Sequence, residues 1–385
     1  MGGCRMEPCV WVKENLYDEL GPSKVVHIYE PKIGLRAIAV VDNVARGPAI
    51  GGIRMAPDVT TTEVFRLARG MTFKNSAADL KHGGGKSGII ADPSKMSPDQ
   101  KEELMRTFAR ALANLVEYIP GPDIGTSEKD MAVMFDEMGR VVGLPRSLGG
   151  IPLDEIGATA YGCYHSARAA EPYVQRWHKS FRLRGARIAV EGFGNVGRPA
   201  AVFFRDFEDT VLVAASDTKG TIHNPEGIDV DKLIAIKKET GSVLNYEDAE
   251  KLPVEACLEV ECDILIPAAR PDCINSGNWE KVNTRLIVEG ANVPVVFDIE
   301  NKLFDKQILC LPCFIANAGG VICGALEYAG ANESTVFPTI EEKVYRNTDE
   351  VLKRTFDKKT YPREAAVQMA KERVLDAMQY RKVHI

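Results

Sequence analysis

The stretch RIAVEGFGNVGRPAAVFFRDF, residues 187–207, decides the fold. A short apolar run, RIAVE, enters Gly192-Phe193-Gly194-Asn195-Val196-Gly197, and the residues beyond carry the apolar spacing of a helix. A G-x-G-x-x-G string alone is a weak signal; between a strand and a helix it is the turn of a dinucleotide-binding unit. Gly192 permits the tight turn, Gly194 lets the backbone approach a pyrophosphate, and Gly197 allows the helix to pack closely on the strand. Phe193, Asn195 and Val196 complete the loop, and the helix N-terminus offers N–H groups and partial positive charge to phosphates. Asp217 closes the next strand about 20 residues on, where a carboxylate is expected to bond the adenosine ribose hydroxyls. A carboxylate there repels a 2′-phosphate, so NAD is the expected cofactor. Lys219 offsets that repulsion and keeps NADP open. A glycine-rich turn beside a surface aspartate is the alternative reading.

Outward from this turn, the apolar runs DTVLVAASD, CDILIPAA, TRLIVEGA and QILCLPCF alternate with segments of helix length, the pattern of a parallel sheet built from βαβ units. Upstream, IGLRAIAVVD and SGIIADP read as strands, and TTEVFRLARGMTFKNSAADL reads as an amphipathic helix. The stretch SPDQKEELMRTFARALANLVEYI, residues 97–119, reads as another helix with a stripe through Leu104, Phe108, Leu112 and Val116. The Gly/Pro-rich GLPRSLGGIPLDEIG marks a boundary near residue 150. The expected domains are therefore 1–150, 151–320 and a helical tail over 321–385 that returns to pack on the first.

Composition narrows the function class. At 385 residues the chain exceeds one ordinary core; 45% hydrophobic and 26% charged residues describe a soluble globular protein. A net charge of −6 without a basic block argues against nucleic acid. No apolar run nears the roughly 18 residues that span a bilayer, so no membrane partner is expected. The start, MGGCRMEPCV, lacks the pattern of a signal peptide, and cytoplasm is the expected location. Nine scattered cysteines read as reduced and buried. Cys310 and Cys313 have C-x-x-C spacing without a second pair, so core packing is preferred to redox or metal binding, and no metal is expected.

The stretch DLKHGGGKSG, residues 79–88, imitates a phosphate loop and fails: the first glycine of G-x-x-x-x-G-K-[ST] falls on Leu80. Lys86 follows three glycines, where small residues let a substrate approach the backbone. Lysine becomes a useful base only when burial or a nearby cation lowers its pKa from near 10.4 to about 7–8, and Lys74, in MTFKNSA, is a candidate neighbour. Lys74 also reads as a solvated helix face, and Asp123, in IPGPDIGTS, as a turn or N-cap aspartate.

At these residues the sequence resembles the glutamate, leucine, phenylalanine and valine dehydrogenase superfamily. The matching blocks are GPAIGGIRMAPDVT, LARGMTFKNSAADLKHGGGKSG, GPDIGT, GATAYG, VEGFGNVG, DILIPAA, IVEGANVP and IANAGGV, in family order over roughly residues 30–330. The resemblance implies an α/β fold of two domains: an N-terminal substrate and oligomerisation domain, then a Rossmann domain, with the active-site cleft between. It implies that Lys74 binds the substrate α-carboxylate, that Lys86 activates water, and that Asp123 moves protons to and from the amino group. It places Thr159 and Asn292 beside the cofactor, Asn317 near the substrate, and a homo-oligomer as the working form. The implied reaction is reversible, NAD(P)-dependent deamination of an L-amino acid to a 2-oxo acid and ammonia.

Substrate choice is where this chain departs. Glutamate enzymes of the family carry a lysine before the Gly51-Gly52 pair and a hydroxyl residue shortly after NAGGV; here these positions are Ile50 and Gly324. A buried side-chain carboxylate without a cation costs several kcal/mol, whereas a leucine-sized group gains about 1.5–3 kcal/mol on burial. An apolar or branched-chain amino acid is therefore expected. Glutamate dehydrogenase is the alternative, and a catalytically silent dinucleotide-binding regulatory subunit is another. Cys313 stands where the family's usual aspartate follows Pro312, a change in packing beneath the site.

Overall fold

A computed structural model describes residues 17–381. The reading of residues 1–10, with Cys4 and Cys9, lies outside the described residues. The first sheet contains β1 (Lys24–Glu30), β2 (Leu35–Asn43), β3 (Ala49–Ala56), β4 (Gly83–Ile90) and β5 (Tyr118–Pro122), in the order β1-β2-β4-β3-β5. Strands β1, β2 and β4 pair antiparallel, while β3 runs parallel to both β4 and β5. Helix α1 (Thr61–Ala77) buries Val64, Phe65 and Ala68, and starts where the Thr60 side chain accepts from the Glu63 N–H.

Two expectations for this half need correction. The strand expected at SGIIADP starts earlier; Gly83 to Ser87 also lie inside β4, the middle strand of the sheet. Glycine is ordinarily depleted in strands, but close approach demands it here. A Cβ on Gly84 would lie 2.0 Å from the Thr72 nitrogen of α1, and one on Gly85 would lie 2.8 Å from the Tyr118 ring. The helix expected over 97–119 also ends early: α2 spans Pro98–Leu112, and YIPGP is strand β5. Arg140, just past α3 (Glu128–Met138), donates to the carbonyls of Leu112, Ala113 and Leu115 and so turns the chain out of the helix. Val116, expected on the apolar stripe, is 68% exposed.

The second sheet follows α4 (Ala158–Val174). Its elements are β6 (Arg187–Glu191), α5 (Gly197–Glu208), β7 (Val211–Asp217), β8 (Gly220–His223), α6 (Val230–Thr240), β9 (Glu250–Leu252), β10 (Ile264–Pro267), β11 (Leu286–Val288), α7 (Phe297–Asp305) and β12 (Leu309–Leu311). The order is β12-β11-β10-β6-β7-β8-β9. Strands β12 to β7 are parallel as the sequence implies; β8 and β9 add an antiparallel edge that it did not reveal. Chain order reverses beside β6, the switch point at which open α/β sheets place their ligands.

Helices α8 (Cys313–Ala316), α9 (Gly319–Tyr328), α10 (Val336–Lys358) and α11 (Pro362–Tyr380) complete the described chain. Ala365, Ala366, Met369 and Ala370 of α11 pack with Phe73 and Ala77 of α1, and the Ser76 hydroxyl donates to the Ala370 carbonyl. Glu327, on α9, accepts from the backbone N–H groups of Gly143, Leu144 and Ile151, and so ties the segment that joins the two sheets. Cys310 and Cys313 are buried free thiols, and burial raises both pKa values. Among the described residues no helix is long and apolar enough to cross a membrane, and no group of three or more His, Cys, Asp or Glu is placed to hold a metal ion.

Candidate active site

Lys86 stands on the central strand, 6% exposed, and its Nζ lies 2.8 Å from Asp123 Oδ2. Asp123 follows β5 directly, and β3 runs between the two strands that bear the pair. The gap is kept open by Gly52 of β3, where a Cβ would sit 2.8 Å from the Asp123 Cβ and 3.2 Å from Lys86 Nζ. Burial pulls the Lys86 pKa below its ordinary value, and Asp123 opposes that pull without cancelling it. Burial alone would raise Asp123, but Lys86 and then Arg54 outweigh it and hold the carboxylate below its ordinary value.

Arg54 is a site residue the sequence reading missed. Its Nε lies 3.1 Å from Asp123 Oδ2, and its Nη1 donates to Glu63 at 2.7 Å. The signal was present: Arg54 is two residues after Gly52 on one strand and so shares its face.

Lys74, in the last turn of α1, has no ion-pair partner among the described residues. Burial lowers its pKa, with Cys313 and Cys163 pulling upward and Lys86 adding to the decrease. Strand β3 is fixed at Gly51 by Tyr118, whose hydroxyl donates to the Gly51 carbonyl at 2.8 Å and accepts from Ser87 at 2.8 Å. A Cβ on Gly51 would lie 1.6 Å from the Gly85 carbonyl oxygen. Ile50 is buried in an apolar cluster with Val142 and Ile322, and Gly324 of α9 faces Val142.

At the dinucleotide turn, Gly192 has φ +88°, and a Cβ on Gly197 would lie 2.2 Å from the Gly192 carbonyl oxygen. Gly194 faces open space, and no side chain caps the N-terminus of α5. This cradle of small residues at a free helix end fits a pyrophosphate. Phe193 is 1% exposed, so its ring belongs to the core and only its backbone borders the turn. Asn195 donates to Asp154, and Val196 stands beside Gly290.

Asp217, expected to bond the adenosine ribose, has partners within the protein. It accepts from the N–H groups of Lys219 and Val243, and Lys237 Nζ lies 3.3 Å from its Oδ2. The Lys219 side chain is not the partner; Lys237, on α6, had no local signal.

Thr159 opens α4 against Gly320, where a Cβ would lie 3.0 Å from the Thr159 hydroxyl oxygen. Asn317 donates through Nδ2 to the carbonyls of Gly290 and Ala291 and to Asn292 Oδ1, each at 3.2 Å. Its own Oδ1 is buried without a partner, an acceptor suited to an amide or amino group.

A Rossmann turn at the switch point and a buried Lys–Asp pair define a dinucleotide-dependent oxidoreductase. The chain belongs to the Glutamate/Leucine/Phenylalanine/Valine dehydrogenase family, whose model matches residues 149–382, with the family's dimerisation domain matching residues 22–140. It is thus an amino-acid dehydrogenase. The chain is 37% identical over 363 residues to the glutamate dehydrogenase of Aeropyrum pernix, covering 88% of this chain and 85% of that one. It is 36% identical over 361 residues to the NADP-specific glutamate dehydrogenase of Saccharolobus shibatae, covering 88% and 83%. Its fold matches the hetero-hexameric glutamate dehydrogenase of Thermus thermophilus, solved in a leucine-bound form, at a TM-score of 0.82 and 29% identity over 94% of this chain and 91% of that one.

Proposed function

We propose that the chain catalyses the reversible deamination of L-glutamate to 2-oxoglutarate and ammonia, with water consumed and NAD(P)+ reduced. The observation that carries the reaction type is the buried Lys86–Asp123 contact beside a Lys74 that has no carboxylate of its own. Lys74 takes the substrate α-carboxylate and fixes Cα, which turns encounter into a near-attack geometry. Lys86, its neutral form favoured by burial, activates the water that attacks Cα. Asp123 carries protons to and from the amino group, and Arg54 helps keep it ionised between transfers. A bound NAD(P)+ supplies the electron acceptor.

Glutamate is adopted because the relatives described above are glutamate dehydrogenases. The apolar side chain expected from the sequence is not supported by their names. It stays as a second reading on one observation: Ile50 and Gly324 face Val142 in an apolar cluster, with neither the lysine nor the hydroxyl expected of a glutamate pocket. Turnover measured with L-glutamate, L-leucine, L-valine and L-phenylalanine, each with NAD and NADP, decides between them. Glutamate outpacing the apolar substrates supports the first reading; the reverse order supports the second; no turnover with any amino acid sinks both.

Cofactor preference rests on Asp217. With its charge met by Lys237 and two backbone N–H groups, the carboxylate repels a 2′-phosphate weakly, and Lys237 offers that phosphate a cation. NADP is accordingly taken alongside NAD. A homo-oligomer is supported by the dimerisation-domain match, and a reducing cytoplasm by the buried free thiols.

A further inference from the structure

Beneath the nicotinamide end of the cleft lies a buried cluster that the reaction does not use. Glu289, at the end of β11, and Glu300, on α7, are 0% and 3% exposed. Arg363, in the first turn of α11, donates from Nε to both oxygens of Glu300 at 2.7 Å and from Nη2 to Glu289 Oε2 at 2.9 Å. Its guanidinium also lies over the Phe314 ring. One cation thus faces two carboxyl groups out of water. Glu289 Oε1 is buried with no acceptor role, and the Glu300 carboxyl lies within hydrogen-bonding reach of Glu289. A proton held on Glu289 and donated to Glu300 balances the cluster; burial and then the nearby Glu300 favour that protonated form, and Arg363 opposes it without prevailing.

The cluster reaches the cofactor cleft through two contacts. Glu289 Oε2 also accepts from the Cys313 N–H, at the start of the short helix that ends at Asn317. The Cys313 sulfur in turn accepts from the Val293 N–H at 3.4 Å. Val293 has φ +49° and is 45% exposed. A β-branched residue in the left-handed region costs about 1–3 kcal/mol and persists only where its surroundings impose it. It is held there by its N–H bond to Cys313 and by the Asp272 N–H, which donates to the Val293 carbonyl at 2.9 Å, and Val293 adjoins Asn292, which Asn317 holds.

We propose that Arg363 is a positioning residue for the nicotinamide end of the cleft: from the C-terminal helix it clamps Glu289 and Glu300, and through Glu289 and Cys313 it fixes the strained Asn292–Val293 turn and Asn317. The inference rests on the dinucleotide-site reading above and is independent of which amino acid is the substrate. The charged and titratable groups facing the two carboxyls are Arg363 from α11, the Cys310 thiol from β12 and the Cys313 thiol from α8, with Lys74 of α1 beyond Cys313. Since α11 packs on α1, the clamp also connects the cofactor loops to the helix that bears Lys74.

The test compares NADH with ADP-ribose, which shares everything but the nicotinamide, in binding titrations that need no turnover. Arg363→Met is expected to weaken NADH about tenfold while ADP-ribose stays within about twofold, the size of coupling that a packed network carries. Equal losses for both probes, or no loss for NADH, overturn the proposal. Should Arg363→Met fail to fold, Glu289→Gln carries the test, because glutamine preserves the acceptor and cannot ionise. As pH is raised above neutrality the wild type should lose NADH affinity relative to ADP-ribose as the shared proton leaves, and Glu289→Gln should hold its ratio constant. The same pH dependence in both proteins overturns the clamp. A wild type that binds neither probe at any pH overturns the dinucleotide reading instead.

Discussion

Lys86 and Asp123 meet at 2.8 Å although one lies mid-strand and the other just beyond a strand two places away in the sheet. Gly52, on the strand between them, makes the meeting possible because it carries no Cβ. The contact has opposite effects on its members. Asp123 is kept ionised, while Lys86 remains easier to deprotonate than a free lysine because burial dominates over the ion pair.

Replacing Lys86 by Met should lower kcat about 10²–10⁴-fold, the usual span for a lost general base, and leave NADH affinity within about twofold. In the wild type kcat/KM should rise with pH as Lys86 loses its proton, at a pH below that of an ordinary lysine. Arg54 lowers the Lys86 pKa, so Arg54→Met should raise that pKa and move the acid limb to higher pH. An unmoved or acid-shifted limb in a pH–rate profile would contradict the assignment.

His165 gives a stability prediction. It is 2% exposed, between Tyr161 and Tyr164, with its Nε2 unpartnered, and burial holds its pKa down to about 4. Glu341 pulls that value up and Arg168 pulls it down. The unfolded chain takes up this proton near pH 6.5, so the neutral ring's contribution is complete above about 6.5 and declines as pH falls toward about 4. Thermal melts should show a steeper loss over that window in the wild type than in His165→Gln. Parallel curves would show that His165 does not contribute to the acid loss of stability.

Val293→Gly should raise stability by about 1 kcal/mol, because relief of the left-handed strain exceeds the extra chain entropy that glycine gives the unfolded state. Urea unfolding measures it, and a clear destabilisation would mean that the side chain makes contacts worth more than the strain.

Gly51→Ala should prevent folding, since its Cβ meets the backbone carbonyl of Gly85 rather than a side chain that can yield. Tyr118→Phe is the milder probe of the same spot. It strands the Gly51 carbonyl and the Ser87 hydroxyl, at a cost of about 1–3 kcal/mol, and should raise KM for the amino acid more than it lowers kcat. Expression yield, melting temperature and steady-state kinetics read these out; a well-folded Gly51→Ala protein would refute the packing argument.

The sequence made the second half legible where strand and helix alternate with strong periodicity: RIAVE, its glycine turn and the helix after it lie where the pattern puts them. The first half was harder for a physical reason. Gly83, Gly84 and Gly85 form a strand because Thr72 and Tyr118 leave no room for side chains, and that crowding is tertiary, invisible in a local window. Arg140 ends a helix from 28 residues away along the chain, which hid β5 inside an apparent amphipathic stripe. Lys86 and Asp123 were identifiable as candidates, but their contact needed the sheet order. Asp217 was found by spacing, yet its partner Lys237 reaches it from a separate helix.

Glu327 gathers three amides of the segment between the sheets onto the helix that also carries Gly324. That attachment limits how far the helix can shift when its neighbours change. A first side-chain carbon at 324 would meet Val142 at 3.8 Å, an ordinary contact, so the position has room of its own while the helix that carries it stays fastened to the crossover.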